Sequence, residues 1–156
     1  MDIMPIKVVI FGSIPEASLI LWAGLLLMGV KPQTRKIVIA GILQGISVYF
    51  IRRYVDFGIH TFVQIIVFII YTYFIMDVKL IVAILSIIVS SVIVTLIEGS
   101  LLIFMDINLA YLWSVDWMRL LLLLPHEIVL GLIIYIGYKK DISLQNEFGW
   151  LDKIVS

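Results

Sequence analysis

The sequence predicts an all-α polytopic membrane protein, a bundle of about five transmembrane helices. Three observations predict it. The 156 residues are 63% hydrophobic and only 14% charged, whereas soluble domains are about half apolar and about one quarter charged. The apolar residues gather into runs long enough to cross a bilayer core, which takes roughly 20 residues as helix. The lysines and arginines fall mostly in the short links between those runs. A chain of this length leaves no room for a second large domain beside the bundle.

The first span is predicted from near Ile14 to Val30. Ser13 and Glu16 have capping-box spacing, and Pro15 is tolerated in a first turn. Residues 1–12 read either as an interfacial lead-in or as an earlier turn of the same span. Asp2 and a lone Lys7 precede the run and no small-residue cleavage site follows, so a retained span is expected rather than a signal peptide. The second span, Ile37 to Ile51, is short and carries Gly41 and Gly45 four residues apart, a spacing that favours close packing within the chain over a homodimer. The third runs from about Ile59 to Met76, the fourth from about Leu80 to Phe104, and the fifth from about Asp116 to Tyr138 with a kink at Pro125. Between the last two, Tyr111, Trp113 and Trp117 alternate with aliphatic residues, as in a segment lying in the membrane interface, and Asp116 and Arg119 are spaced to pair. Residues 141–156 place Leu144, Phe148, Leu151 and Val155 at helical spacing and form a short amphipathic tail beyond the 1–140 bundle, weakened by Gly149.

Positive charge in short loops marks the cytoplasmic side. Lys31, Arg35, Lys36, Lys79, Lys139, Lys140 and Lys153 fall on one set of ends. Lys7, Arg52, Arg53 and Arg119 fall on the other, among Asp2, Asp56, Asp106 and Asp116. The N-terminus is therefore expected outside and the C-terminus inside, in a multi-pass protein of the cell membrane, with Arg52 and Arg53 counting against that assignment.

Three glutamates stand beside or inside the apolar runs: Glu16, Glu98 and Glu127. Ionisable groups at membrane depth are costly and mark functional sites by default. With alternating spans, Glu16, His60 and Gln64 fall near the outer starts of the first and third spans. Glu98 falls roughly 9 Å below the outer end of the fourth, and His126 and Glu127 about 10–15 Å into the fifth, at about 1.5 Å per residue. With Arg119 these residues form the candidate ligand-binding or proton-sensing set, gathered in the outer half of the bundle. Each has a plainer reading. Glu16 caps its helix; His60 is an interfacial residue; Arg52 and Arg53 snorkel to headgroups; Glu98 pairs with His126 or Arg119. Ser91, Thr95 and Gly99 form a small-residue face that turns Glu98 inward. Pro125 frees a carbonyl in the preceding turn that polar neighbours can satisfy. In the other half, Gln44 and the serines Ser86, Ser90 and Ser91 are the main polar groups.

Several chemistries have no sequence support. The chain has no cysteine, which excludes disulfides and thiol nucleophiles. No HExxH, nucleophile elbow or phosphate-binding glycine loop occurs. Two histidines among scattered glutamates make a poor metal site by spacing. No enzyme activity, metal or cofactor is expected, and zero formal net charge gives no case for nucleic acid.

Pro15-Glu16 at the first span, Lys31-Pro32-Gln33 after it, Gly58-Ile59-His60-Thr61 at the third, Glu98-Gly99 late in the fourth and Leu124-Pro125-His126-Glu127 in the fifth also form a familiar order. Over roughly residues 5–140 it resembles the N-terminal multi-helix sensor region of Gram-positive histidine kinases of the GHKL type, the group that includes peptide-pheromone receptors. In that group the membrane region receives an extracellular signal that a cytoplasmic ATPase unit relays. The resemblance implies that Glu16, His60, Glu98, His126 and Glu127 lie in or near a signal-receiving region, with a peptide or small molecule as ligand and a histidine kinase as partner. The sequence ends where that family's kinase would begin, so a free-standing relative or a modulator of a full-length kinase is expected. The expectation is a non-enzymatic sensory module with a polar cavity opening outward, pH being one candidate input. A small-solute-binding subunit of a transporter and a purely structural assembly protein are the alternatives.

Overall fold

Pro5 sets where the first helix begins. Its extended backbone (φ −63°, ψ 142°) turns directly into helix, and its carbonyl accepts hydrogen bonds from the amides of Val8 and Val9. The first helix then runs over Ile6–Leu27 as one rod, wound as a π-helix over Val9–Ser13 and as an α-helix over Ile14–Leu27. Residues from Ile6 onward are thus part of the span. The capping box expected at Ser13 and Glu16 does not form. Ser13 already has helical backbone angles (φ −62°, ψ −34°) and makes no side-chain cap. The physical reason is that the helix has already begun after Pro5, so no helix end stands at Ser13 to be capped; Pro15, which has no amide hydrogen, follows a wider π turn and does not end the helix.

The computed structural model describes residues 5–56, 58–104 and 116–140, all of whose long elements are helical. The interfacial link 105–115 and the amphipathic tail 141–156 read from the sequence lie outside the described residues. Among the described residues, five helices are long and apolar enough to cross a membrane. After the first come Thr34–Tyr54, Ile59–Met76, Leu80–Phe104 and Asp116–Lys140. The second is longer at both ends than its apolar run, so Arg52 and Arg53 belong to its last turn. The fifth continues as helix through Pro125, which leaves the Leu121 carbonyl without its usual partner one turn on.

Tight stops separate the rods. The first ends in a paired cap: the amide of Val30 bonds the Leu25 carbonyl and that of Gly29 bonds the Leu26 carbonyl, each at 2.9 Å. This motif needs a left-handed residue after the helix, supplied by Gly29 at φ 76°. Asp77 takes the left-handed conformation at the end of the third helix, which a short side chain capable of local hydrogen bonds tolerates.

The first helix is the centre of the bundle, touching the second, fourth and fifth, while the third closes against the second and fourth. Leu21, Leu25 and Met28 form the main core with Ile37, Phe68 and Ile87. The first and fifth helices run in the same direction. Gly12 faces Leu120 and Leu123 near one end, while toward the other Trp22 Nε1 donates to the Tyr138 hydroxyl at 3.1 Å and Gly137 lies on Leu26. Outward faces stay apolar, with Phe62, Phe74, Leu96, Ile103, Ile128 and Leu132 exposed as lipid-facing side chains.

Small residues set the helix separations. A methyl at Gly24 would strike the Ser86 backbone and the Ser90 hydroxyl of the fourth helix. One at Gly41 would strike Ser18 Oγ, and one at Gly45 would come within 2.5 Å of Ile14 Cγ1. The Gly41 and Gly45 pair therefore packs inside the chain, against the first helix. The fourth helix buries Val82, Ala83, Ser86, Ser90 and Val94. The face expected from Ser91, Thr95 and Gly99 is not the packing face: Thr95 is exposed and nothing lies near Gly99. That helix is apolar all round, so its periodicity does not choose a side; the clefts at Gly24 do. Ser86 and Ser90 hydroxyls bond back to the Val82 and Ser86 carbonyls at 2.6 and 2.7 Å, so they enter the interface without unmet hydrogen bonds.

Gly24→Ala should lower stability by about 1–3 kcal/mol, because the added methyl meets a backbone carbonyl that cannot move aside. Gly99→Ala, with open space around it, should stay within about 0.5 kcal/mol of the parent. Unfolding of the two purified variants in the same mild detergent checks both; equal losses would contradict the packing.

Candidate functional site

The stripe that buries the fourth helix continues at four-residue spacing through Ser86, Ser90 and Val94 to Glu98. That spacing carries Glu98 onto the side facing the first and fifth helices. From the first helix comes Glu16, one turn past the π segment, and from the fifth His126, directly after Pro125. His126 is fully buried. Its Nδ1 lies 3.3 Å from Glu98 Oε1 and its Nε2 lies 3.7 Å from Glu16 Oε1. The imidazole thus stands between two carboxylates from two other helices. At about 1.5 Å per residue, Glu16 and His126 sit about 15 Å from the starts of their helices and Glu98 about 9 Å from the end of its own.

Neither ring nitrogen of His126 makes a hydrogen bond. A neutral imidazole has one N–H and one lone pair. Whichever tautomer is present, one nitrogen keeps an unused lone pair between the two carboxyl groups, a place where a proton or a cation can be held. The three donor atoms of the trio lie within 4.8 Å of one another.

Two further charges act on it. Arg52, in the last turn of the second helix, exerts a Coulombic effect on both Glu16 and Glu98, and Glu127 acts on Glu16. Arg52 is half-buried with its Nε inaccessible. Arg53 is exposed and lies over the Tyr54 ring at 5.9 Å. Glu127 buries Oε1 without a hydrogen bond. Glu16 and Glu98 keep 24% and 32% of their side-chain surface, so the cluster is reachable from outside the protein.

The remaining sequence candidates divide. His60 belongs to the start of the third helix, where the Gly58 amide donates to its Nδ1 at 3.2 Å, and is not among the three grouped residues. Gln64 offers its backbone carbonyl to Gln44 Nε2 at 3.2 Å, joining the second and third helices. Its own Nε2 and Gln44 Oε1 are buried without hydrogen bonds. The Arg119 side chain, and with it the pairing to Asp116, lies outside the described residues. Sequence reasoning weighed a Glu98–His126 pair and counted Glu16 among the site candidates, with a helix cap as its plainer reading; it gave Arg52 headgroup contact as its plainer reading and left it out of the candidate set. The rotational phase of each helix decides these contacts, and a helix apolar on every side does not write that phase into its periodicity.

Glu98 and His126 should be energetically coupled. A double-mutant cycle with Glu98→Gln and His126→Ala, read by unfolding in detergent, should return about 0.5–3 kcal/mol of interaction energy. Strict additivity would mean that the two side chains do not meet.

No family model matches the chain, and no match to it was found among curated proteins or solved structures.

Proposed function

We propose that the chain is a non-enzymatic sensory or regulatory membrane module that receives a signal at the Glu16–Glu98–His126 cluster and passes it to a cytoplasmic partner. One observation carries the reading: a constellation of ionisable groups, its histidine fully buried, joins the first, fourth and fifth helices inside an apolar bundle. A cluster of this kind resists burial unless its charges are balanced, so whatever balances them changes how the three helices pack. A ligand acts only through its differential affinity for the two packings. The order of short motifs shared with the sensor regions of GHKL-type histidine kinases supports the same reading and makes such a kinase the partner of choice.

Orientation completes the proposal. Lys31, Arg35, Lys36, Lys79, Lys139 and Lys140 lie at the ends remote from the cluster. The positive-inside rule puts those ends in the cytoplasm and the cluster toward the outer face. The absence of native cysteine makes this simple to test. In intact cells a membrane-impermeant maleimide should label Asp56→Cys and spare Gln33→Cys until the membrane is opened. The opposite pattern would place the cluster on the cytoplasmic side and end the extracellular-signal reading.

The partner decides function. Extraction of the tagged chain from its native membrane in mild detergent should bring down a histidine kinase or a response-pathway protein. Glu98→Gln should then alter the kinase's autophosphorylation at unchanged chain abundance. Copurification of an ATPase with a coupling membrane protein would instead assign the chain to a transporter.

A further inference from the structure

We propose that Glu16, Glu98 and His126 form a binding site for one divalent transition-metal ion. The donor set is of the right kind: two carboxylates and an imidazole, with no sulfur. Zinc, manganese and ferrous ions take such ligands, whereas copper(I) favours thiolate or thioether, and calcium and magnesium favour oxygen alone. The spacing is within reach of a shell. Ligand atoms on bonds of about 2.0–2.2 Å around a tetrahedral ion lie roughly 3.3–3.6 Å apart. The 3.3 and 3.7 Å contacts are made by opposite ring nitrogens; with one nitrogen and one oxygen from each carboxyl group, the three donors lie within 4.8 Å of one another and draw inward to bind. Only one ring nitrogen can bind the ion, so small rotations of the carboxylates complete the shell on that side. Three protein ligands leave a coordination position for water or a further ligand, as in open metal sites.

Two independent features point to a cation rather than to a self-contained ion pair. His126 is fully buried, yet neither nitrogen is hydrogen-bonded. The groups described around the imidazole are also mainly acidic: beside Glu16 and Glu98, Glu127 buries an oxygen that has no hydrogen bond, and Arg52 is a cation that acts on them. A divalent ion, or protons, would offset that excess of carboxyl groups. A bound ion would tie three helices together at the cluster. Because it concerns the isolated chain, the inference does not rest on the sensory reading.

The test uses the full-length chain, purified in mild detergent without a histidine tag and stripped with chelator. It is exposed separately to zinc, manganese, ferrous and magnesium ions, desalted, and assayed for metal per chain and thermal unfolding. About one transition-metal ion per chain and a raised unfolding temperature are expected, with no retention of magnesium. Glu98→Gln and His126→Gln should each weaken binding by more than the ~10–100-fold that loss of an outer-shell partner costs. No retained metal and no thermal shift, or unchanged retention in both variants, overturns the site and leaves protons as the balancing charge. Should both variants fail to fold, X-ray absorption of the zinc-loaded parent still decides. A shell of one imidazole nitrogen with oxygens is expected, and an all-oxygen or multi-imidazole shell overturns the assignment. A negative result leaves the partner experiment unaffected.

Discussion

Close approach of three helices to the first is the constraint on which the remaining structure depends. Gly24 admits the fourth helix at Ser86 and Ser90, while Gly41 and Gly45 let the second come down on Ser18 and Ile14. In lipid no hydrophobic driving force separates a helix–helix contact from a helix–lipid contact, so association rests on close packing and internal hydrogen bonds. Small residues supply the first, and serines that bond their own backbone keep polar atoms from opposing it. If the first helix stood further from the fourth, Glu16 and Glu98 could not face the same imidazole. Gly41 and Gly45 meet Ser18 and Ile14 on either side of Glu16, while Gly24 lies further along the first helix; together they set the helix separations on which the cluster depends.

The cluster in turn explains two local irregularities. Glu16 follows a π-wound segment and His126 follows a proline, so each ionisable residue stands beside an interruption in regular α hydrogen bonding. Both interruptions change helical phase or leave backbone groups unpaired, and single-turn π segments recur at functional sites for that reason. Here they place two side chains from parallel helices within reach of one another. Desolvating several charges costs several kcal/mol each, and mutual attraction offsets this only when the geometry is good. The arrangement is therefore hard to justify on stability alone, because an apolar residue at each position would pack in this bundle without the cost.

The number of apolar helices and their approximate limits were legible in the sequence, and so were Glu16, Glu98 and His126 as ionisable candidates. Apolar run length and the placement of charged residues carry that information directly. The facing of each helix was not legible. Ser91, Thr95 and Gly99 looked like a packing face as good as that of Ser86 and Ser90, because small residues line both and the helix is apolar all round. The choice is made by Gly24 on another helix, a tertiary fact with no local signature. Ser13 and Glu16 matched a capping pattern, yet a cap needs a helix to start there, and Pro5 had already started one. Glu16 thereby moved from a helix end to mid-span, where its carboxyl group meets His126 and no backbone cap is needed.

A cluster in one half of a bundle affects the other half only if rigid elements connect them. The first and fifth helices provide that connection, since they run parallel from the Glu16–His126 contact to the Trp22–Tyr138 hydrogen bond. The aromatic pair fixes the rods to each other, with ring centroids 6.3 Å apart in an edge-to-face arrangement. On the sensory reading, a change of charge at the cluster alters the separation of the two rods at one end while the aromatic contact holds the other. The resulting motion is a tilt about Trp22 and Tyr138, and the ends beyond that contact carry Lys139 and Lys140 on one rod and Gly29 on the other. Packed helices change by discrete repacking rather than by continuous bending, so a small displacement at Glu16 can select between two arrangements of those ends. This lever requires the cluster to join more than two helices. A contact confined to the first and fifth would relax locally, whereas Glu98 also brings in the fourth, so on the sensory reading a local change of charge would alter the geometry of three helices.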